Sequence, residues 1–547
     1  MNSLKPMLLT SLKSYNRTQF VKDVTAGIIV AIIALPLSIA LALASGVGPE
    51  AGIFTAIVAG FVISALGGSS VQIAGPTAAF ATIVAGIVAK DGLDGLVIST
   101  ILAGIFLILM GLCHFGSLIK FIPYTITTGF TSGIAVTIVI GQLKDFFGVT
   151  YPDGVKPIET TEKFKAFIEN ISTMNTAALI VGIVSLAILI ISPVIFKKIP
   201  GSLIAVIVGI LMVKFLPLKV STIGNLYTIS NSLPAFHLPA VNLYIIENAL
   251  PNAFTIAVLA AIESLLSCVV ADGMINGKHR SDMELVAQGA GNIASALFGG
   301  IPATGAIART AANIKNGGRT PVAGMVHSIT LVIVLVVLMP FAGMIPMPTI
   351  AAILFIVAYN MCQWRTFVHL IRTAPKSDII VLFATFILTI LFDLVVAIEI
   401  GMVLACLLFI KRMSEETHVD GWTYVDDDTP DVDAHLKKLP LQIRVYEITG
   451  PLFFGAADAI EHIVVKDFTT CLVLRMRSVP AIDSTAMNAL FNLTKVCENK
   501  GITLVFSHVN EQPMKVMEKA GFVELVGREN FCPNISAALA HAEEISI

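Results

Sequence analysis

The chain has 547 residues, of which 56% are hydrophobic and 13% are charged, and its formal net charge is -2. Soluble domains carry roughly a quarter charged residues, so this composition excludes an ordinary soluble protein. A net charge this close to zero also excludes nucleic-acid binding as the main function, because that function needs a concentrated basic surface. Long uncharged segments, such as residues 321–364, predict a polytopic membrane protein in the lipid bilayer, since roughly 20 apolar residues cross the hydrocarbon.

The first segment, residues 1–23, is basic and polar. It lacks the short apolar core and cleavage site of a secretory signal, so we expect it to be a cytoplasmic N-terminal segment. The seven cysteines are scattered and form no C-x-x-C pair, which predicts neither disulfides nor a metal site. Dispersed histidines and the lack of a phosphate-binding G-x-x-x-x-G-K-[ST] motif predict a protein that is not an enzyme and needs no cofactor.

Fourteen apolar segments then follow in a predicted transmembrane domain, residues 24–412. They are 24–45, 51–66, 76–89, 95–113, 122–147, 175–196, 200–216, 246–271, 283–299, 303–314, 320–342, 345–362, 378–392 and 394–410. An even number of crossings places both termini on the same side, and most Lys and Arg residues outside the spans fall there too. By the positive-inside rule both termini are predicted to be cytoplasmic in the inner (plasma) membrane, with the loop 148–174 facing outward.

The third and tenth segments are short, and each follows a stretch rich in Gly and Pro. The breaks contain Gly67, Gly68, Gly75 and Pro76 in the first case, and Gly299, Gly300, Pro302 and Gly305 in the second. The two segments lie seven apart, so the halves that contain them must be inverted relative to each other. Matched broken helices in inverted halves predict a midplane binding site of a secondary transporter. The alternative is an ordinary Gly/Pro-rich turn between full spans.

The composition changes after residue 412. Residues 413–439 are acidic and polar and are predicted to be a linker. In residues 440–547, the segments LQIRVYEITG, CLVLRMRSV and ITLVFSHV alternate like strands, with amphipathic helical segments between them. Strands that alternate with helices predict a compact soluble α/β domain.

The order of these motifs resembles the sulfate permease (SulP) family of anion transporters. The resemblance rests on AGPTAAF, GFTSGIAVTIVIGQLKDFFG, the run from AIESLLSCVVADGM to ARTAANIKNGGRT, and a C-terminal domain similar to STAS domains. It implies an all-α membrane domain with a 7+7 inverted repeat, divided into core and gate domains and usually found as a homodimer. It also implies alternating access and a small anion held between the facing ends of the third and tenth helices.

The motifs AIESLL, GKH and GPLFFGAA look most similar to the bacterial C4-dicarboxylate (succinate) branch of that family. This similarity implies proton-coupled uptake of dicarboxylates. Sulfate transport and sodium-coupled bicarbonate transport are the alternatives, and an anion channel is a further one. The bicarbonate branch has Asp where Glu263 stands and Thr where Ile307 stands, which argues against bicarbonate.

Helix N-termini offer free N–H groups and a partial positive charge, so they bind anions without a further buried charge. The predicted substrate-binding residues at the two breaks are Thr77, Ala78, Ala79, Phe80, Gly305, Ala306, Ile307 and Arg309. The Thr77 hydroxyl either contacts the anion or caps its helix. Arg309 is the only strong base in the tenth segment, and it either attracts the anion or belongs to a structural ion pair.

Glu263 is the acid of an otherwise apolar span and is the predicted coupling site for a proton or a cation, together with Ser267. In the C-terminal domain, AIDSTAMNAL resembles the turn at which a hydroxyl residue is phosphorylated in anti-sigma-antagonist relatives of STAS domains. Asp483, Ser484 and Thr485 hold those positions. They either regulate transport, by phosphorylation or through a cytoplasmic protein partner, or only cap a helix.

Overall fold

The computed structural model describes residues 4–117, 122–152, 154–155, 157–195, 200–216, 218–230, 232–239, 243–392, 394–421, 440, 442–457, 460, 463 and 468–546. These residues form two compact units, one ending at Met402 and the other beginning at Val403. The first unit is almost entirely helical. Its helices before the second break are α1 (Met7–Ser11), α2 (Arg17–Ala44), α3 (Pro49–Leu66), α4 (Ala78–Leu112), α5 (Tyr124–Phe147), α6 (Thr160–Glu169), α7 (Thr176–Ile195), α8 (Gly201–Phe215), α9 (Ile223–Leu226), α10 (Leu243–Ile275) and α11 (Ser281–Leu297).

The helices after that break are α12 (Ile307–Lys315), α13 (Val322–Ala342), α14 (Met347–Cys362), α15 (Trp364–Thr373), α16 (Lys376–Leu391) and α17 (Leu394–Glu415). A helix lies at each of the fourteen predicted positions if α4 is counted as two helices that meet at Gly92, where φ is 72°. Within the described ranges, eight helices are long and apolar enough to cross a membrane. The predicted all-α, multi-pass membrane domain is therefore confirmed.

The helices of this unit pack in two groups. In the first group, α4 packs on α10 and α11, while α13 packs on α2 and α3. In the second group, α5 packs on α14 and α16, and α7 packs on α8 and α14. Gly104 on α4 and Gly289 on α11 lie backbone to backbone, because a Cβ added to either would overlap the carbonyl oxygen of the other. Small residues allow this close approach between membrane helices, and they hold the first group together tightly.

Besides two short strands of the first unit, β1 (Ala74–Gly75) and β2 (Thr304–Gly305), the second unit contains a five-stranded sheet whose strands lie side by side in chain order. The strands are β3 (His418–Gly421), β4 (Ile443–Thr449), β5 (Cys471–Ser478), β6 (Thr503–Ser507) and β7 (Phe531–Cys532), and the described helices are α18 (Ser484–Asn499), α19 (Glu511–Lys519), α20 (Phe522–Val526) and α21 (Ile535–Ser546). Only the β3–β4 pair is antiparallel. Both faces of the central strands are buried, which is typical of parallel sheets covered by helices.

The three predicted strands correspond to β4, β5 and β6, so the α/β prediction is confirmed. Strand β3 was not predicted, because its four residues lie within the segment that composition marks as a linker. Residues 413–415 likewise belong to the end of α17. The remainder of the predicted linker, residues 422–439, lies outside the described residues.

Two thiols of this second unit are buried, and their chemistry gives a first testable prediction. Burial raises the pKa of Cys471 to about 12 and the pKa of Cys497 to about 11. Because the thiolate is the reactive form, we expect neither to react with N-ethylmaleimide in the folded protein at pH 7.5. Both should react fully after denaturation, as measured by peptide mass spectrometry. Exposed Cys113 is the positive control, and equal labelling rates for Cys113 and Cys471 would contradict the buried placement.

Candidate functional site

Two short strands meet where the third and tenth segments are broken. Strand β1 (Ala74–Gly75) pairs antiparallel with β2 (Thr304–Gly305), and the Ala306 N–H extends the pair by donating to the Ile73 carbonyl at 2.9 Å. Helix α4 begins shortly after β1, and α12 begins shortly after β2. Because the strands are antiparallel, the chain enters these two helices from opposite directions. The structure thus brings together the two breaks that the sequence marks.

Side chains of neighbouring helices hold the extended backbone of both breaks. Four such bonds are Ile73 N to Thr310 Oγ1 at 3.1 Å, Asn313 Nδ2 to the Val71 carbonyl at 2.9 Å, Ala303 N to Asn292 Oδ1 at 2.8 Å, and Ile301 N to Thr55 Oγ1 at 2.7 Å. Irregular backbone at membrane depth is tolerated only when protein groups satisfy it. Ala74 and Thr304 are fully buried. These segments are therefore paired interior strands and not turns between full spans.

The N-terminus of each broken helix is left without a side-chain cap. Thr77 occupies the N-cap position of α4, but its hydroxyl donates to Glu263 Oε2 at 2.9 Å and makes no capping bond. Ala306 occupies the N-cap position of α12 and has no side chain that could cap it. The first N–H groups of a helix have no acceptor within the helix. Both helix starts are therefore suited to bind an anion through the backbone.

The other predicted binding residues differ in how far they are accessible. Ala78, Ala79 and Phe80 are buried, and the Phe80 N–H already donates to the Thr77 carbonyl at 3.3 Å. Ala306 is 9% exposed and Ile307 is 37% exposed, so the start of α12 is the more open of the two. The small side chains of Ala78, Ala79 and Ala306 add little bulk around the backbone, whereas Phe80 and Ile307 are large.

Arg309 lies behind the break and is closed off from solvent. Its side chain is 1% exposed, and Nη2 donates to the Pro76 carbonyl, immediately before the cap of α4. Its Nε and Nη1 atoms have no hydrogen-bond partner among the described residues. No Asp or Glu carboxylate of the described ranges forms an ion pair with it. A counter-charge for this buried guanidinium must come from elsewhere, and a bound anion can supply it.

Helix α10 contacts both breaks with adjacent residues. Glu263 accepts from Thr77 on the α4 side, as described above. Ser264 Oγ lies 2.6 Å from Thr304 Oγ1 and accepts from the Gly305 N–H at 3.1 Å. One turn from Glu263, the buried Ser267 hydroxyl has no hydrogen-bond partner within the described residues. Glu263 and its neighbour Ser264 therefore bring α10 against both breaks, whereas no hydrogen bond of Ser267 with either break is observed among the described residues.

Glu284 and His327 are two of the buried polar residues near the breaks that sequence reasoning missed. Glu284 on α11 binds the segment that leads into β1, and His327 on α13 lies close to Gly60 of α3 with neither ring nitrogen bonded within the described ranges. A signal for Glu284 exists, because Gln288 and Asn292 follow it at four-residue spacing and mark one polar stripe on α11. No sequence pattern singles out His327.

In the second unit, Asp483 caps α18. Its Oδ1 accepts from the Ala486 N–H at 2.9 Å, and its Oδ2 accepts from the Phe454 N–H at 2.8 Å. Ser484 and Thr485 are exposed in the first turn of that helix. Asp483 thus has a structural role, while the two hydroxyl groups are accessible to an enzyme or a partner.

Comparison with known proteins assigns both regions of the chain. Residues 20–385 match the sulfate permease family, and residues 437–538 match the STAS domain. The chain is 39% identical over 530 residues to "Putative sulfate transporter YvdB" of Bacillus subtilis, covering 95% of this chain and 97% of that protein. It is 31% identical over 538 residues to "Bicarbonate transporter BicA" of Picosynechococcus sp., covering 95% and 94% of the two chains.

Two solved structures are similar to this one. The transmembrane domain of a cyanobacterial bicarbonate transporter, BicA, superposes with a TM-score of 0.62 at 29% identity, covering 72% of this chain and 98% of that chain. The murine Slc26a9 anion transporter in the inward-facing state superposes with a TM-score of 0.86 at 19% identity, covering 99% and 94%. At that low identity, the second likeness shows the fold alone.

Proposed function

The chain belongs to the sulfate permease family of anion transporters, and on that premise we propose that it is a secondary active transporter of a small oxyanion. The proposal depends on one observation, the buried antiparallel pairing of the two broken helices at β1 and β2. That pairing sets two uncapped helix starts beside each other and surrounds them with protein, as a midplane substrate site requires. Alternating access would then expose this site to the two sides of the membrane in turn.

We rank sulfate and bicarbonate ahead of C4-dicarboxylates as substrates. The relatives reported above are named for sulfate and bicarbonate, which supports the alternatives raised by the sequence and not its first choice. Bicarbonate ranks below sulfate, because Ile307 stands where the bicarbonate branch has a Thr hydroxyl. Succinate nevertheless belongs in the test.

Glu263 is the proposed coupling residue, and a proton is the proposed ion. Its carboxylate bonds the cap residue of α4, so its charge state acts directly on the anion site. A protonated Glu263 would repel a bound anion less than an ionised one would. Sodium is the alternative, because both the Glu263 carboxylate and the Ser267 hydroxyl, which has no hydrogen-bond partner in the described part of the chain, are oxygen ligands.

The test is uptake by the purified protein in liposomes. Labelled sulfate, bicarbonate and succinate are each supplied with and without proton and sodium gradients. We expect saturable uptake of an oxyanion, counterflow exchange, and stimulation by an inward proton gradient. Stimulation by sodium alone would replace the proton in this proposal. Flux that neither saturates nor counterflows would indicate an anion channel instead.

Topology gives a second prediction. The loop 148–174 is proposed to face outward, with both termini in the cytoplasm and the protein in the inner (plasma) membrane. Thr161 is exposed in α6, so a Thr161→Cys substitution on a cysteine-free background should react with a membrane-impermeant maleimide in intact cells. Labelling only after permeabilisation would contradict this orientation.

A homodimer and a cytoplasmic partner of the STAS domain are predictions from family resemblance. Cross-linking and pull-down experiments, respectively, test them.

A further inference from the structure

Glu284 is a buried carboxylate with an unusual number of bonds. It lies in the first turn of α11 and is 1% exposed. Its Oε2 accepts from the Gly68 N–H at 2.9 Å and from the Ser69 N–H at 3.2 Å. Its Oε1 accepts from Gln72 Nε2 at 2.7 Å and from Gln288 Nε2 at 2.8 Å. Three of these four donors belong to the segment that leads into β1.

Gln72 connects Glu284 to the second break. A Cβ added to Gly305 would overlap the Gln72 amide, so this amide lies directly against β2. Gln72 Oε1 also accepts from Cys268 Sγ of α10 at 3.2 Å. One buried side-chain amide thus contacts Glu284, the second break and the helix that carries Glu263.

Both carboxylate oxygens of Glu284 must accept hydrogen bonds, because two N–H donors point at each of them. Four N–H groups point at the carboxylate, and within the described ranges no Lys or Arg forms an ion pair with it. An ionised carboxylate accepts at both oxygens, whereas the amide of Gln would turn its own donors toward two of the four N–H groups. Losing these hydrogen bonds leaves buried donors unpaired.

We propose that Glu284 is a positioning residue for the anion site, which sets the first break against the second through Gly68, Ser69 and Gln72. It does not touch the anion in this arrangement. It fixes the segment that leads through β1 to the start of α4, whose N–H groups are proposed to bind the anion, so its loss changes the affinity more than the maximal rate. This inference rests on the proposed function, because it concerns the same anion site.

The test compares Glu284→Gln with Glu284→Asp in the full chain. If the number of acceptor oxygens matters, Glu284→Asp should keep a lower KM than Glu284→Gln, although Asp is shorter than Glu and Gln has the same size as Glu. We expect KM for labelled sulfate or bicarbonate to rise about tenfold or more in Glu284→Gln, and by a smaller factor in Glu284→Asp, with maximal rates within about threefold of the unmodified protein. If Glu284 only fills space, the order reverses, because Gln preserves the packing and Asp does not.

Two glutamines that donate to the same oxygen of Glu284 provide a matched control. Gln72 and Gln288 both donate to Oε1, but only Gln72 belongs to the segment leading into β1. Gln72→Leu should therefore raise KM, whereas Gln288→Leu should change it less than about twofold. Equal effects of the two substitutions would overturn the proposal.

Hydrogen exchange separates this proposal from the proposed function. Amide exchange of residues 67–76, measured by mass spectrometry on anion-free protein, should be faster in Glu284→Gln than in Gln288→Leu. Unchanged exchange in Glu284→Gln would overturn the positioning role, even in a protein that transports normally. If the unmodified protein transports none of the three anions, the proposed function fails. The exchange data would still decide whether Glu284 holds this segment.

Discussion

Replacing Glu263 with Gln is expected to abolish proton-driven accumulation of substrate while counterflow exchange continues. An ionised carboxylate inside the membrane costs several kcal/mol unless it is paired, so reversible protonation is a natural use of Glu263. Glutamine resembles the protonated form and can still accept from the Thr77 hydroxyl. It cannot release a proton on the inner side, so the accumulation ratio under a proton gradient should fall to about one.

Proteoliposomes with an imposed proton gradient provide the measurement for this variant. Glu247→Gln is the matched control, because Glu247 lies exposed on the same helix and undergoes the same chemical change. The control should accumulate substrate normally. Normal accumulation in Glu263→Gln would place the coupling site elsewhere. If the unmodified protein depends on sodium and this variant loses that dependence, Glu263 would be a sodium ligand.

Replacing Arg309 with Met is expected to weaken anion binding by about 10- to 100-fold, which corresponds to the loss of one charge-assisted interaction. The guanidinium is buried beside the start of α4 and has no carboxylate partner among the described residues. An unpaired buried charge also costs stability, and Met has a similar length without that charge. The melting temperature without anion should therefore be unchanged or higher, while stabilisation by added anion is lost.

A lower anion affinity together with an unchanged or higher melting temperature would identify Arg309 as an anion-binding residue. Thermal unfolding of the detergent-solubilised protein, with and without sulfate or bicarbonate, measures both quantities in one experiment. Arg309→Lys keeps the charge but loses the planar fork of donors, so its affinity should lie between those of the other two proteins. A destabilised Met variant that binds anion with unchanged affinity would make Arg309 a purely structural residue.

The sequence was sufficient for the architecture because each spanning helix satisfies its own backbone within a contiguous apolar segment. The breaks were also predictable, since Gly and Pro interrupt the third and tenth segments at matching places. The pairing of β1 with β2 could not be derived in the same way. Two-residue strands carry no periodic pattern, and their register depends on side chains from α3, α11 and α12 that are remote in sequence.

The roles of individual site residues were harder to predict than their positions. The sequence left Thr77 as either a cap or an anion contact, but the structure gives its hydroxyl to Glu263. It placed Arg309 in the tenth segment without indicating that its side chain turns toward the Pro76 carbonyl. Glu284 was overlooked because an acid in the first turn of a helix is usually explained by the helix dipole. Each of these distinctions depends on side-chain direction, which a linear pattern does not specify.

The partners in the β1–β2 pair are separated by a long stretch of chain, with Ala74 opposite Gly305. Roughly 230 residues must be synthesised and inserted before the first break finds its partner, and contacts between such distant residues form late in folding. Until then, the Ile73 N–H lacks its final acceptor, Thr310 Oγ1, inside the membrane. The proposed anion site thus cannot form before the second break is inserted, and a ribosome-released fragment that stops before residue 304 would hold most of the helices yet have no site.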